Sequence, residues 1–175
     1  MNNSDVDAII LVVVLIALLA VVFIPVALFL GYAFFLKWKR DQTRAAIVRD
    51  RQQLIGNHRW FPVRYASEQR FKSLFKIFPW EGPGILVIVP GSALFLSQTN
   101  SGSPLMLQFA PGNSTLNWLG KAPWPNGAVS WFYFTTTIEK HYFSSETGVL
   151  IFGSHKSTKA MYDEVNNSFL AHSSS

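Results

Sequence analysis

The first pattern along the chain is a long apolar run without any charged side chain. Residues 8–36 contain no Asp, Glu, Lys or Arg over 29 positions, and about 20 such residues suffice for a helix to cross the core of a bilayer. A cleaved signal peptide has a shorter apolar stretch behind a basic start, whereas Asp5 and Asp7 precede this run. We therefore predict a permanent transmembrane helix over residues 8–36, with residues 1–7 as a short N-terminus.

The pattern after the span predicts a second helical segment over residues 37–58. This segment is rich in helix formers and has no Gly or Pro before Gly56, so the helix should end near Ile55. Basic and apolar residues share its faces. Such a face either lies on the membrane surface or packs on the domain that follows.

Residues 59–171 are predicted to form one small domain made of short strands. Blocks rich in Val, Ile, Phe, Tyr, Trp and Thr alternate with clusters of Gly, Pro, Asn and Ser, which is typical of antiparallel strands and turns. The turn at Pro90, Gly91 and Ser92 predicts a hairpin over residues 84–97, and residues 70–78 favour a short helix. The predicted strands are 59–65, 85–89, 93–97, 105–109, 114–119, 130–137, 140–145 and 149–153.

The last element has helical spacing. Met161, Val165 and Phe169 recur every four residues, so they share one face of a helix that Ser154 or Ser157 caps and that ends near residue 170. This helix would cover one side or one open end of the sheet. Residues 172–175 are predicted to be a disordered tail, and the fold class is α+β.

Charge is concentrated next to the span. Residues 37–76 hold eleven Lys and Arg against three Asp and Glu, and residues 77–175 hold four against five. Because Lys and Arg resist translocation, the C-terminal part should be cytoplasmic and the N-terminus outside. We predict that Lys37, Lys39, Arg40 and Arg44 contact the membrane surface, where anionic lipids attract basic residues; the alternative is that they only fix topology.

Two further groups are candidates for binding. Arg70, Lys72 and Lys76 form a candidate anion patch, and Trp118 and Trp124 mark a candidate recognition loop, since aromatic anchors favour such sites. A nucleic-acid partner is not expected, because its binder should carry the basic patch on the folded domain.

No residue pattern predicts catalysis. The chain has no cysteine, which excludes thiol chemistry and thiolate metal sites. Its four histidines occur singly, without the spacing of zinc ligands, and are predicted to be surface or loop residues. No nucleophile elbow or phosphate-binding loop is present. We expect neither an enzyme, nor a metal, nor a cofactor.

The second part of the chain resembles the pleckstrin-homology-like (PH-like) fold, in its GRAM or bacterial PH-like branch. The resemblance is carried by RFKSLFKIF at residues 70–78, which leads through Glu81 to GILVIVPGSALFLS at residues 84–97. It implies a small antiparallel β-barrel or sandwich of about seven strands closed by a C-terminal helix. It also implies a binding module for lipid headgroups or protein partners. The alternative is a structural or assembly subunit that meets a membrane-protein partner or a second copy of itself.

Overall fold

The computed structural model describes residues 3–73, 80–98, 103–122, 129–146 and 154–173 of the 175-residue chain. The chain forms two compact units, Met1–Trp38 and Lys39–Ser175. The helices are α1 (Asn3–Asp50), α2 (Gln52–Ile55), α3 (Glu68–Lys72) and α4 (Ser154–Ser173). The strands are β1 (Arg59–Ser67), β2 (Gly82–Val89), β3 (Ser92–Gln98), β4 (Pro104–Phe109), β5 (Thr115–Lys121), β6 (Ser130–Thr135) and β7 (Lys140–Ser145).

The first unit consists of the apolar part of α1. Its mean hydropathy reaches 3.3 over an 18-residue window, and none of the side chains in that window is buried in the protein. Exposed apolar surface of this extent is unfavourable in water and favourable in lipid. By length and composition α1 can cross a membrane, as predicted. The helix continues past residue 36 to Asp50, so the predicted juxtamembrane helix is part of it. Its orientation in the membrane stays a prediction.

The second unit is built on one antiparallel sheet of seven strands, which confirms the α+β class. The strand order is β4-β3-β2-β1-β7-β6-β5, so a meander of four strands joins a meander of three through the pairing of β1 with β7. The predicted hairpin is confirmed, with Gly84 paired to Ser97. Gly91 has a φ of 72° in its turn, a left-handed conformation that glycine adopts without steric cost.

The sheet does not close into the predicted barrel. In the part of the chain that the structure describes, β4 pairs only with β3 and β5 pairs only with β6. The register of β5 shifts between Trp118 and Gly120, after which its pairing with β6 continues, and such a bulge bends an edge strand. The structure is therefore an open sheet with two edges.

The inner face of the sheet and α4 enclose the main core. Aromatic rings dominate it: Phe109 stacks on Phe134 with ring centroids 4.0 Å apart. The predicted face of α4 is confirmed, because its three apolar residues are buried in this core. The buried core residues are Val63, Tyr65, Leu86, Ala93, Phe95, Phe109, Phe132, Phe134, Phe143, Met161, Val165 and Phe169.

The outer face of the sheet is also covered. Ile47 of α1 and Ile55 of α2 pack on Ile85, Val87 and Leu96. Residues 39–55 therefore pack on the domain, the second of the two arrangements that the sequence left open. Further along this face, a second outer cluster holds Ala66, Ala122, Val129, Trp131 and Tyr142, with Phe71, Trp80 and Tyr133 against it.

Several predicted boundaries differ from the structure. The short helix α3 begins at Glu68, two residues early, because the Ser67 side chain accepts a hydrogen bond from Arg70 N and caps it. Helix α4 runs to Ser173, into the predicted disordered tail. The predicted strand 149–153 and the rest of the predicted helix 70–78 beyond residue 73 lie outside the described residues.

Candidate functional site

A groove lies where β1 ends and β2 begins, beside α3. Its volume is about 790 Å³, which is within the range of small-molecule sites. The chain folds this way locally because Glu81 fastens the start of β2 to β1. Its backbone N–H donates to Tyr65 O at 2.8 Å, and its carboxylate accepts from the Ser67 backbone N–H at 3.0 Å and from the Ser67 hydroxyl. The groove is lined by Tyr65, Ser67, Gln69, Arg70, Ser73, Trp80, Glu81, Gly82, Ser97, Gln98 and Leu105.

The groove has a lining of mixed polar and apolar residues, with one cation among them. Arg70 supplies a guanidinium, whose planar donors suit carboxylate and phosphate oxygens. Glu81 supplies a carboxylate, already engaged by two donors of Ser67. Amide and hydroxyl groups of Gln69, Ser73 and Gln98 complete a lining that can hydrogen-bond an anionic or zwitterionic ligand.

A buried polar pair lies behind this groove. The Tyr65 hydroxyl and His141 Nδ1 are 3.1 Å apart. Burial lowers the pKa of His141, although Glu139, with Oε1 3.8 Å from His141 Nε2, acts in the opposite direction. Burial likewise raises the pKa of Tyr65. The prediction that every histidine is a surface or loop residue is wrong for His141, which lies in β7 with its side chain in the core.

A second polar feature lies on the outer face of the sheet, an arginine–glutamate cluster of Arg40, Arg44, Arg64 and Glu146. Glu146 Oε1 is 2.8 Å from Arg40 Nε, and its Oε2 pairs with Arg44 Nη2. Arg44 also donates to the carbonyls of Gly84 and Val63, at 3.3 and 3.4 Å. The carboxylate thus fastens the residues of α1 after Lys39 to the end of β7.

Arg64 is the least satisfied member of the arginine–glutamate cluster. Its Nη2 is 3.8 Å from Glu146 Oε1, which is too far for a hydrogen bond. Its guanidinium lies 4.7 Å from the centre of the Trp80 ring, and its Nε is buried without a hydrogen-bond partner. Burial lowers the pKa of Arg64, and the nearby Arg40 and Arg44 lower it further against the opposing effect of Glu146.

The predicted membrane-contact residues are placed differently from one another. Lys37 lies in the first unit and Lys39 begins the second. Arg40 and Arg44 face Glu146, and Arg44 is only 5% exposed. Their guanidinium groups therefore meet protein oxygens, and only Lys37 and Lys39 keep the prediction in its original form.

The predicted anion patch and recognition loop are divided as well. Arg70 lines the groove, whereas Lys72 is mostly exposed and its Nζ lies 2.5 Å from Glu68 Oε1. Trp118 belongs to β5 and packs on Tyr162 of α4, with ring centroids 5.4 Å apart. Lys76 and Trp124 lie outside the described residues.

Comparison with known proteins identifies no family for this chain. No family model, no curated protein and no solved structure matches the chain. Among the described residues no group of three His, Asp or Glu side chains is placed to hold a metal ion. A function is therefore inferred from the geometry of the groove and of the arginine–glutamate cluster.

Proposed function

We propose that this protein is a single-pass, membrane-anchored binding module whose PH/GRAM-like domain binds an anionic lipid headgroup in the Arg70 groove. The domain is cytoplasmic and the N-terminus lies outside. The observation that carries the proposal is the groove itself, a space of about 790 Å³ with a guanidinium and several uncharged polar groups on its wall. In this proposal the domain binds headgroups according to the lipid composition of the membrane and does not catalyse a reaction.

The architecture supports the resemblance on which this proposal also depends. Seven antiparallel strands in two meanders, with a C-terminal helix over the core, agree with the strand number and the closing helix that the resemblance implies, whereas the open sheet differs from the barrel. The apolar part of α1 supplies the anchor. A domain held at a membrane meets headgroups at high local concentration, so modest affinity for each headgroup is sufficient.

The test uses the full chain in dodecyl maltoside micelles and soluble headgroups, so that no lipid surface contributes. Glycerophosphoinositol phosphate, glycerophosphoserine and glycerophosphocholine are titrated by calorimetry at low and high salt. We expect binding of an anionic headgroup that weakens with salt, because exposed charges are screened over about 8–10 Å near physiological ionic strength.

Arg70→Gln identifies the site. A hydrogen bond to a charged group is worth about 1.5–3 kcal/mol, so this variant should weaken binding at least about tenfold. Arg49→Gln is the matched control, since Arg49 is exposed and outside the groove. Equal binding by both variants, or no preference for anionic headgroups, would contradict the proposal.

The open edge β4 favours a second candidate, a structural or assembly subunit that joins a protein partner by strand addition. Unpaired edge groups and the exposed Met106 of β4 are features that strand addition uses. This candidate predicts salt-resistant co-purification with another membrane protein or a second copy of the chain. It also predicts that Leu107→Pro, which removes a backbone N–H from β4, abolishes that association.

A further inference from the structure

We propose that the arginine–glutamate cluster is a binding site for a phosphate group, either free phosphate or the phosphate of a lipid. The cluster lies on the outer face of the sheet and does not include Arg70 or the other groove-lining residues. The inference therefore concerns different donors from those of the proposed headgroup site, although Trp80, 4.7 Å from the Arg64 guanidinium, also lines the groove. It rests on charge balance, on unpartnered donors and on access.

Charge balance is the first argument. Three guanidinium groups of Arg40, Arg44 and Arg64 surround the buried carboxylate of Glu146. Asp41, with its Oδ1 3.1 Å from Arg44 Nη1, is the second carboxylate, and its side chain is half exposed. The group as a whole keeps one surplus positive charge. A buried charge without a counter-ion is strongly unfavourable, so an anion from solution would be stabilised here.

Unpartnered donors are the second argument. Arg64 and Ser144 are directly paired residues of β1 and β7, so their side chains lie next to each other on one face of the sheet. Arg64 Nε and Ser144 Oγ are both buried and both lack a hydrogen-bond partner. The Arg64 side chain is only 4% exposed. Nearly all buried polar groups in proteins are hydrogen-bonded, and two adjacent orphans imply an acceptor that binds between them.

The identity of the anion follows from the donors. Guanidinium groups present paired N–H donors that match the oxygens of phosphate, and a serine hydroxyl adds one more donor. Arg40 retains 19% exposure of its side chain, so the cluster reaches solvent at that residue. A tetrahedral oxyanion with several acceptor atoms fits this set better than a monatomic anion does.

The experiment measures the thermal unfolding of the full chain in phosphate-free dodecyl maltoside micelles. One series adds inorganic phosphate, and a second adds phosphatidic acid to the micelles; chloride at equal ionic strength is the reference. A rise in Tm with phosphate identifies a free anion as the ligand, and a rise with phosphatidic acid alone identifies a lipid phosphate. No rise in either series would overturn the proposal.

Ser144→Ala is the decisive variant, because it removes a hydroxyl that has no partner without phosphate. Its Tm without phosphate should stay equal to that of the wild type or increase, while the phosphate Kd rises about tenfold, as expected for one lost hydrogen bond to a charged group. Arg64→Gln should raise the Kd by at least as much. An unchanged Kd in Ser144→Ala and Arg64→Gln would overturn the proposal.

Two controls separate this site from other effects. Ser130→Ala removes a buried hydroxyl that lies 2.9 Å from His155 Nδ1, so it should lower Tm and leave the phosphate Kd within about twofold. Arg70→Gln should weaken headgroup binding in the groove at least about tenfold and leave phosphate binding unchanged. Loss of phosphate binding in Arg70→Gln alone would place the anion in the groove and contradict the assignment to the cluster.

Discussion

Replacing Glu146 by glutamine tests whether this carboxylate fastens residues 39–50 to the sheet. The substitution keeps the volume and one acceptor oxygen but removes the charge. Glu146 is 2% exposed at its side chain and pairs with Arg40 and Arg44, whose side chains are 19% and 6% exposed. Without the carboxylate, three buried or half-buried guanidinium groups have no buried counter-ion.

The expected magnitude follows from this burial. Removing one partner of a buried ion pair costs about 3–5 kcal/mol, and a typical domain is stable by only about 5–15 kcal/mol. We expect Glu146→Gln to lower the free energy of unfolding by about 3–5 kcal/mol. The measurement is urea denaturation of the full chain in micelles, followed by tryptophan fluorescence.

Asp41→Asn is the matched control. Asp41 also pairs with Arg44, at 3.1 Å, but 47% of its side chain is exposed, and exposed pairs contribute about 0–1 kcal/mol. If Glu146→Gln is too unstable to measure, the double variant Arg64→Gln/Glu146→Gln removes one surplus cation and should recover part of the loss. A loss of stability in Glu146→Gln no larger than that in Asp41→Asn would show that Glu146 does not fasten residues 39–50 to the sheet.

Two further predictions concern the sheet and its core. A Cβ on Gly84 would lie 2.3 Å from Phe95 Cε2, so Gly84→Ala should lower the free energy of unfolding by about 1–3 kcal/mol through overpacking. The control is Gly82→Ala in the same strand, where a Cβ would have nothing within 4 Å. Equal effects of the two variants on the urea midpoint would contradict this prediction. The lowered pKa of His141 means that the unfolded chain binds a proton more readily than the folded chain as pH falls below 6.5. Stability should therefore decrease from pH 7.5 to 5.5, and His141→Asn should reduce that slope; an unchanged slope in Tm against pH would show that His141 does not cause it.

The local sequence pattern predicted most of the strands and helices, because hairpins and helix faces depend on residues that are close in sequence. The turn at Pro90 and Gly91 set the hairpin register down to the pair of Gly84 with Ser97. The spacing of three apolar residues identified the buried face of α4. The openness of the sheet was not predictable in the same way, since it depends on whether β4 and β5, at opposite ends of the strand order, meet.

The site was less predictable because it combines distant residues. Arg44 and Glu146 are 102 positions apart, and sequence alone gives Arg44 the appearance of one more basic residue beside the span. One signal was present for Arg64, which stands between Val63 and Tyr65 in a strand whose neighbours are apolar. A charged residue in such a strand indicates either an edge or a buried ion pair. The groove depends on the way α3 turns back on β1, which the sequence did not reveal.

Binding of anionic headgroups by the domain is tested by a single titration. The full chain in dodecyl maltoside micelles is titrated with glycerophosphoinositol phosphate and, separately, with glycerophosphocholine at 50 and 300 mM salt, between which the Debye length shortens about 2.4-fold. We expect binding of the anionic headgroup alone, weaker at the higher salt concentration. Equal binding of both headgroups, or binding of neither, would contradict this expectation.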